Sequence, residues 1–176
     1  MADSVDTSDS AASRGEKPSQ PGSSDDSAKD ADAALRVDFY ILTESSASAR
    51  LKLACKLAEK AYLVKQTALV WHNDALELKT FDDMLWTFMD GSFVPHDMLP
   101  GGDVETPVLL SAGEEPVRPV DIIINLAPSV PPCLPKTKRV VEIIDGDDSR
   151  RRAGRARFKA YRDLGVEPAT HNIRGD

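Results

Sequence analysis

The sequence predicts an α/β domain on a largely parallel sheet of about five strands with three main helices. Two observations predict it. Short β-branched segments alternate with segments of helical period, and the short segments are apolar on both faces, as strands buried between helices are.

The elements follow in order. VDFYIL (37–42) reads as the first strand. SASARLKLACKLAEKAYLVKQ then repeats Ala49, Leu53, Leu57 and Ala61 at four-residue spacing, alongside Leu51, Ala54, Ala58 and Tyr62. That pattern predicts an amphipathic helix of about four turns. TALVW (67–71) is a second buried strand. Asn73 or Asp74 can cap ALELKTFDDMLWTFM, whose helical period runs through Leu76, Phe81, Leu85 and Phe88 before Gly91 stops it. GSFVPHDMLPGG reads as a loop. PVLLSA (107–112), DIIINLA (121–127) and RVVEII (139–144) supply three more short strands. DGDDS leads into the last helix, SRRRAGRARFKAYRDLG, and acidic residues before its first turn suit the helix dipole.

Residues 1–34 stand apart. They hold eight serines and eight acidic residues against three basic ones, and no aromatic residue. So polar a segment cannot bury enough apolar surface to offset the entropy of ordering it, so a disordered acidic tail is expected. It has neither the apolar core of a signal peptide nor the arginines of a transit peptide. The tail carries −5 of the chain's formal −7, which leaves −2 for residues 35–176. That stretch is long enough for one packed core. Two cysteines, Cys55 and Cys133, form no CxxC pair, and no apolar run is long enough for a membrane span. A cytoplasmic protein without membrane association is the expectation.

Chemistry is sparse. The first strand runs into ILTESSASA, with no glycine-rich phosphate loop, so a nucleotide site of the usual kind is not expected. His72, His96 and His171 show no metal-ligand spacing. Asp145, Asp147 and Asp148 resemble the start of a calcium loop, but Ala156 stands where its glutamate belongs, which favours helix capping. No catalytic constellation, cofactor or metal is expected.

The last helix is the unusual element. Seven basic residues and no acidic one lie between Ser149 and Arg162. On a helical projection Arg155, Phe158 and Arg162 fall within about 40° of Arg151, with Lys159 on the shoulder at about 80°. Ala153, Ala156, Ala160 and Leu164 group on the opposite side, the face expected against the sheet. A solvated charge run explains the cations but leaves Phe158 in water. Arginine and an aromatic ring can also stack nucleic-acid bases, although the patch is short and the domain slightly acidic. Guanidinium groups beside a ring equally suit an acidic peptide with an apolar end.

VDFYIL, FDDMLWTFMDGSFVPHD, DIIINLA and RVVEIID…RARFKAYRDLG, in that order, resemble the chi subunit of bacterial DNA polymerase III holoenzyme over roughly residues 36–166. The resemblance implies a single Rossmann-like, mononucleotide-binding-like domain without a phosphate loop, and a non-catalytic accessory role at the clamp loader. It implies binding of the acidic C-terminal tail of single-stranded-DNA-binding protein by Ile144, Arg151, Arg155, Phe158, Lys159 and Arg162, where Phe158 replaces a common tyrosine. It also implies a surface for the psi subunit, or a helicase-like competitor, around Trp86, Phe93, Val94, Pro95 and His96. On the residues alone, Trp86 and Phe93 read as core. DNA would be met only indirectly. The alternatives are an α/β enzyme or binding protein for a nucleotide or phosphorylated metabolite, or a direct single-strand binder.

Overall fold

The computed structural model describes residues 34–174. The predicted tail 1–34 therefore lies outside the described residues, Ala34 excepted. Seven strands and three α-helices follow in the order β1 (Arg36–Leu42), α1 (Ala47–Leu63), β2 (Ala68–Trp71), α2 (Ala75–Thr87), β3 (His96–Leu99), β4 (Val108–Ser111), β5 (Val120–Asn125), β6 (Thr137–Ile144), α3 (Asp148–Asp163) and β7 (Ala169–Ile173). All pair in parallel in one sheet of order β3-β4-β2-β5-β6-β1-β7.

The five predicted strands are the central ones, and the sheet gains one edge strand on each side. HDML is β3 rather than loop, and ATHNI, unassigned in the sequence, is β7. Neither is continuously apolar, because an edge strand is only partly covered. β3 is half-buried throughout and β7 largely exposed.

Local signals start the helices, at α2 and α3 with the acidic residues expected there. The Ser46 hydroxyl accepts from the Ala49 N–H. Asp74 accepts from the N–H groups of Leu76 and Glu77, and Asp147 from that of Arg150. Helices α1 and α2 cover one sheet face through Leu51, Ala54, Ala58, Leu78, Phe81 and Leu85. Leu76, expected on the inner face of α2, is exposed instead, because it lies about 140–180° around the helix from Leu78, Phe81 and Leu85, which face the core. The second face holds Val37, Phe39, Ile123, Val140 and Ile144 beneath α3, with Cys133 and Leu134 of the β5–β6 connection. No described helix is long and apolar enough to cross a membrane.

β7 pairs with β1 through the backbone and is held to it by a side-chain contact as well. Asp38 is fully buried on β1 and accepts from Arg139 at 2.7 Å, from Arg36 and from His171 of β7 at 2.9 Å. Burial alone would raise its carboxyl, but the donors from His171, Arg36 and Arg139 outweigh it and hold it below its ordinary value. A carboxylate so depressed contributes stability that is present above the unfolded value, about 3.9, and lost as pH falls through the folded one. Acid titration should therefore show stability declining below about pH 4, with a shallower acid limb in Asp38→Asn. An unchanged limb would remove this cluster from the acid response.

Candidate functional site

Helix α3 seats differently from its apolar pattern. Gly154, Arg157 and Tyr161 face the sheet, whereas Ala156 and Leu164 are exposed and Ala153 and Ala160 only half-buried. The expected alanine face is thus displaced by roughly a quarter turn. The cause lies on β6. Glu142 is fully buried there and accepts from Arg157 at 2.9 Å, from the Tyr161 hydroxyl at 2.7 Å and from Asn125 at 2.8 Å. Burial pushes its carboxyl above the ordinary value, while Arg157, Asn125 and Tyr161 pull against that push. Arg157 reads in the sequence as one more surface cation, and in the fold it is 4% exposed.

This rotation sets the cationic stripe at the shoulder of the helix, where the bound face meets solvent. A cavity of about 240 Å³ opens there, lined by Phe39 and Ile41 of β1, Ile144 of β6, and Arg151, Gly154, Arg155 and Phe158 of α3. Its floor is apolar. The Phe158 ring tilts against Phe39 at a centroid distance of 5.2 Å, which keeps it half-buried. Gly154 allows the close approach: a Cβ there would lie 2.7 Å from Ile144 Cδ1.

The cations around this floor are not equivalent. Lys159 reaches Asp163 at 3.2 Å and Arg162 reaches Glu167 at 3.4 Å, so acidic residues just beyond the basic run engage both. Among the described residues Arg151 and Arg155 have no ion pair or side-chain hydrogen bond, and both line the cavity. Two unengaged guanidinium groups over an apolar pocket can take a carboxylate and the ring beside it. All six residues expected at this site lie on β6 and α3, four of them in the cavity wall. Sequence reasoning missed Phe39 and Ile41, whose apolar strand pattern carries no sign that they line a cavity.

The second expected surface lies at the end of α2. Trp86 and Phe93 are 52% and 61% exposed, with ring centroids 5.7 Å apart, and Met89 beside them is also exposed. The core reading of these two rings therefore fails. Val94, by contrast, is in the core, and Pro95 is half-buried. The His96 side chain is covered beneath Trp86 at 4.6 Å, its nitrogens 2.6 Å from the Val94 carbonyl and 3.1 Å from Asp82. So the outward surface is Trp86, Phe93 and Met89, supported from below by His96. Phe93→Ala should change stability by less than about 1 kcal/mol in urea unfolding, against roughly 3–5 kcal/mol for the buried Phe81→Ala. Equal losses would return Phe93 to the core.

Among the described residues no group of three or more His, Cys, Asp or Glu could hold a metal ion. Asp145 is engaged by Arg150 through two contacts of 2.7 Å, and Asp147 caps α3.

The fold resembles T4 UvsW, with a TM-score of 0.58 at 12% identity over 80% of this chain and 42% of that one. It also resembles the C-terminal domain of the DEAD-box protein Dbp5, with a TM-score of 0.54 at 10% identity over 79% and 91%. Sequence relatives are more specific. DNA polymerase III subunit chi of Pseudomonas aeruginosa is 36% identical over 138 residues, 78% of this chain and 96% of the relative. The subunits chi of Haemophilus influenzae and Escherichia coli K12 are 26% and 28% identical over 144 and 134 residues, covering 99% and 90% of those relatives. The family model for the DNA polymerase III chi subunit, HolC, matches residues 35–169, and the chain belongs to that family of accessory, non-catalytic polymerase subunits.

Proposed function

We propose that this protein links the clamp loader, through a psi-type partner, to the acidic C-terminal tail of single-stranded-DNA-binding protein in the cytoplasm. One observation carries the reading: the pocket of Phe39, Ile41, Ile144 and Phe158 beside the unengaged Arg151 and Arg155. An apolar floor with paired cations at its rim suits a chain-terminal phenylalanine, whose ring and carboxylate arrive together. Preceding aspartates then meet Lys159 and Arg162, which exchange an exposed intramolecular partner for the ligand. Such exposed pairs contribute at most about 1 kcal/mol, so the exchange costs little.

The exposed Trp86–Phe93 pair suits the second contact, with the psi-type subunit or a helicase-like competitor. Aromatic anchors of this kind dominate binding energy at protein interfaces.

Titration of a labelled Asp-rich peptide ending in Pro-Phe against the whole protein tests the reading. Binding that disappears when the last Phe is deleted supports it. Failure of the intact peptide to bind overturns it. Tight binding of single-stranded oligonucleotides with a steep salt slope would instead favour direct nucleic-acid recognition.

A further inference from the structure

A second cavity, of about 320 Å³, lies across the C-terminal ends of β2, β5 and β6. Its wall includes Arg50 of α1, His72 after β2, Glu77 of α2, and Ser149, Arg150 and Arg157 of α3. In open α/β sheets this edge, where helices from both faces converge, is where ligands bind. The site owes nothing to a phosphate loop. The turn after β1 is closed by Gly146, whose N–H donates to the Glu44 carbonyl at 2.8 Å.

Two side chains in this wall are buried beyond their needs. Arg150 has Asp145 as its counter-ion and Arg157 has Glu142, but Arg50 has no carboxylate within ion-pair distance among the described residues. Its guanidinium donates only to the carbonyls of Leu126 at 2.8 Å and Ile143 at 3.0 Å, although the residue is just 9% exposed. Burial, with Arg150 and Arg157 close by, pulls it down to about 10 against the opposing pull of the Asp145 and Glu142 carboxylates, so it remains a cation at neutral pH. Those two carboxylates are already paired with Arg150 and Arg157, and a buried cation with no carboxylate of its own is costly.

His72 is also 9% exposed, and its Nδ1 accepts the Asp74 N–H at 2.9 Å. Burial, and then Arg50, lower its ordinary value, so at neutral pH the ring carries its single proton on Nε2. That Nε2 has no partner among the described residues. Every fully buried side-chain nitrogen and oxygen described does have one, so Nε2 is not sealed from solvent, and its residue lines the cavity.

We propose that this cavity is an oxyanion site that takes the phosphate of a small phosphomonoester between Arg50, His72 and the first turn of α3. The donors match a tetrahedral oxyanion: a buried guanidinium, the imidazole N–H, the exposed Ser149 hydroxyl and the outer N–H groups of Arg150 and Arg157. The volume exceeds that of bare phosphate and sits at the small end of organic ligand sites, roughly 300–1,000 Å³. Asn73 and the Glu77 carboxylate at the rim accept hydrogen bonds from hydroxyls on the ligand body. Glu77 and Asp74 would repel a second phosphate, so monophosphates bind better than diphosphates.

Thermal denaturation of the full chain tests this, with inorganic phosphate and a pentose 5-phosphate as separate ligands. The pentose phosphate should raise Tm by roughly 8 °C at a hundredfold excess over Kd, and inorganic phosphate by less. Ser149→Glu places a carboxylate in the first turn of α3, where the helix dipole tolerates it, so the fold survives while affinity falls at least tenfold. Arg155→Ala, on the other flank of α3, should leave the effect intact. The His72 imidazole resonances should move with ligand in the wild type. No stabilisation by either ligand at millimolar concentration overturns the inference. So does an effect that survives Ser149→Glu and vanishes with Arg155→Ala, which would place the anion on the outer stripe. Equal affinity for both ligands overturns the ester and leaves free phosphate as the occupant.

Discussion

Arg157→Ala should destabilise the domain by about 3–5 kcal/mol, the cost of leaving a buried carboxylate without its cation. Glu142 has no exposure, and removing Arg157 leaves it only Asn125 and Tyr161 as neutral donors. The Pro128 carbonyl, which accepts from Arg157 at 2.9 Å, loses its donor in the same step. Replacing Arg157 and Glu142 together by apolar residues of similar volume should cost far less, because no buried charge remains. Urea unfolding of the single and double variants measures both. A single-variant loss under about 1 kcal/mol would mean that water reaches Glu142 and that the pair does not set the rotation of α3. The expected value separates this arginine from its neighbours, since Arg152 on the exposed side should be close to neutral in the same assay.

Arg155→Ala should weaken binding of an Asp-rich, Pro-Phe-ending peptide by about one to two orders of magnitude. A charge-assisted hydrogen bond contributes roughly 1.5–3 kcal/mol, and each 1.4 kcal/mol is tenfold. Arg155 is exposed, has no described intramolecular partner and lines the apolar pocket, so nothing in the free protein offsets its loss. Lys159→Ala should cost less and chiefly flatten the salt dependence, because Lys159 is 79% exposed at its side chain and already shared with Asp163. Deleting the peptide's last Phe should hurt as much as Arg155→Ala, since ring and carboxylate leave together. Fluorescence polarisation reads all three. Equal affinity of wild type and Arg155→Ala would remove Arg155 from the site.

Periodicity and capping residues were enough to define the centre of the fold. The strands VDFYIL, TALVW, PVLLSA, DIIINLA and RVVEII are largely buried on both faces, and such strands read as nearly continuous apolar runs, broken here by Asp38, Asn125 and Glu142, each held by side-chain partners. Asp74 and Asp147 cap because the side-chain oxygens of such residues suit helix starts wherever they occur. Edge strands were not readable. HDML and ATHNI need satisfy only one neighbour and little burial, so their composition matches loops as well as strands. Of the residues proposed for recognition, the stripe was readable because its members share one helical face, but Phe39 and Ile41 look like any other core strand.

The identity of the cations along α3 belongs to the chain alone; which of them is free belongs to the fold. Seven basic residues stand in one run, and no local rule distinguishes Arg157, sealed against Glu142, from Arg155, open over the pocket. The difference arises because β6, after the Pro-rich connection, brings a buried glutamate beneath one face of α3. A charge in that low-dielectric interior must be matched by an opposite one. Matching it rotates the helix, and the rotation decides which arginines meet solvent and where the pocket opens. On the opposite face of the sheet, Trp86 and Phe93 lie outside a core already filled by Phe81 and Leu85. Local sequence sets which segments form helices and strands because those preferences act over a few residues. Burial is a relation between segments far apart in the chain, and only their packing settles it.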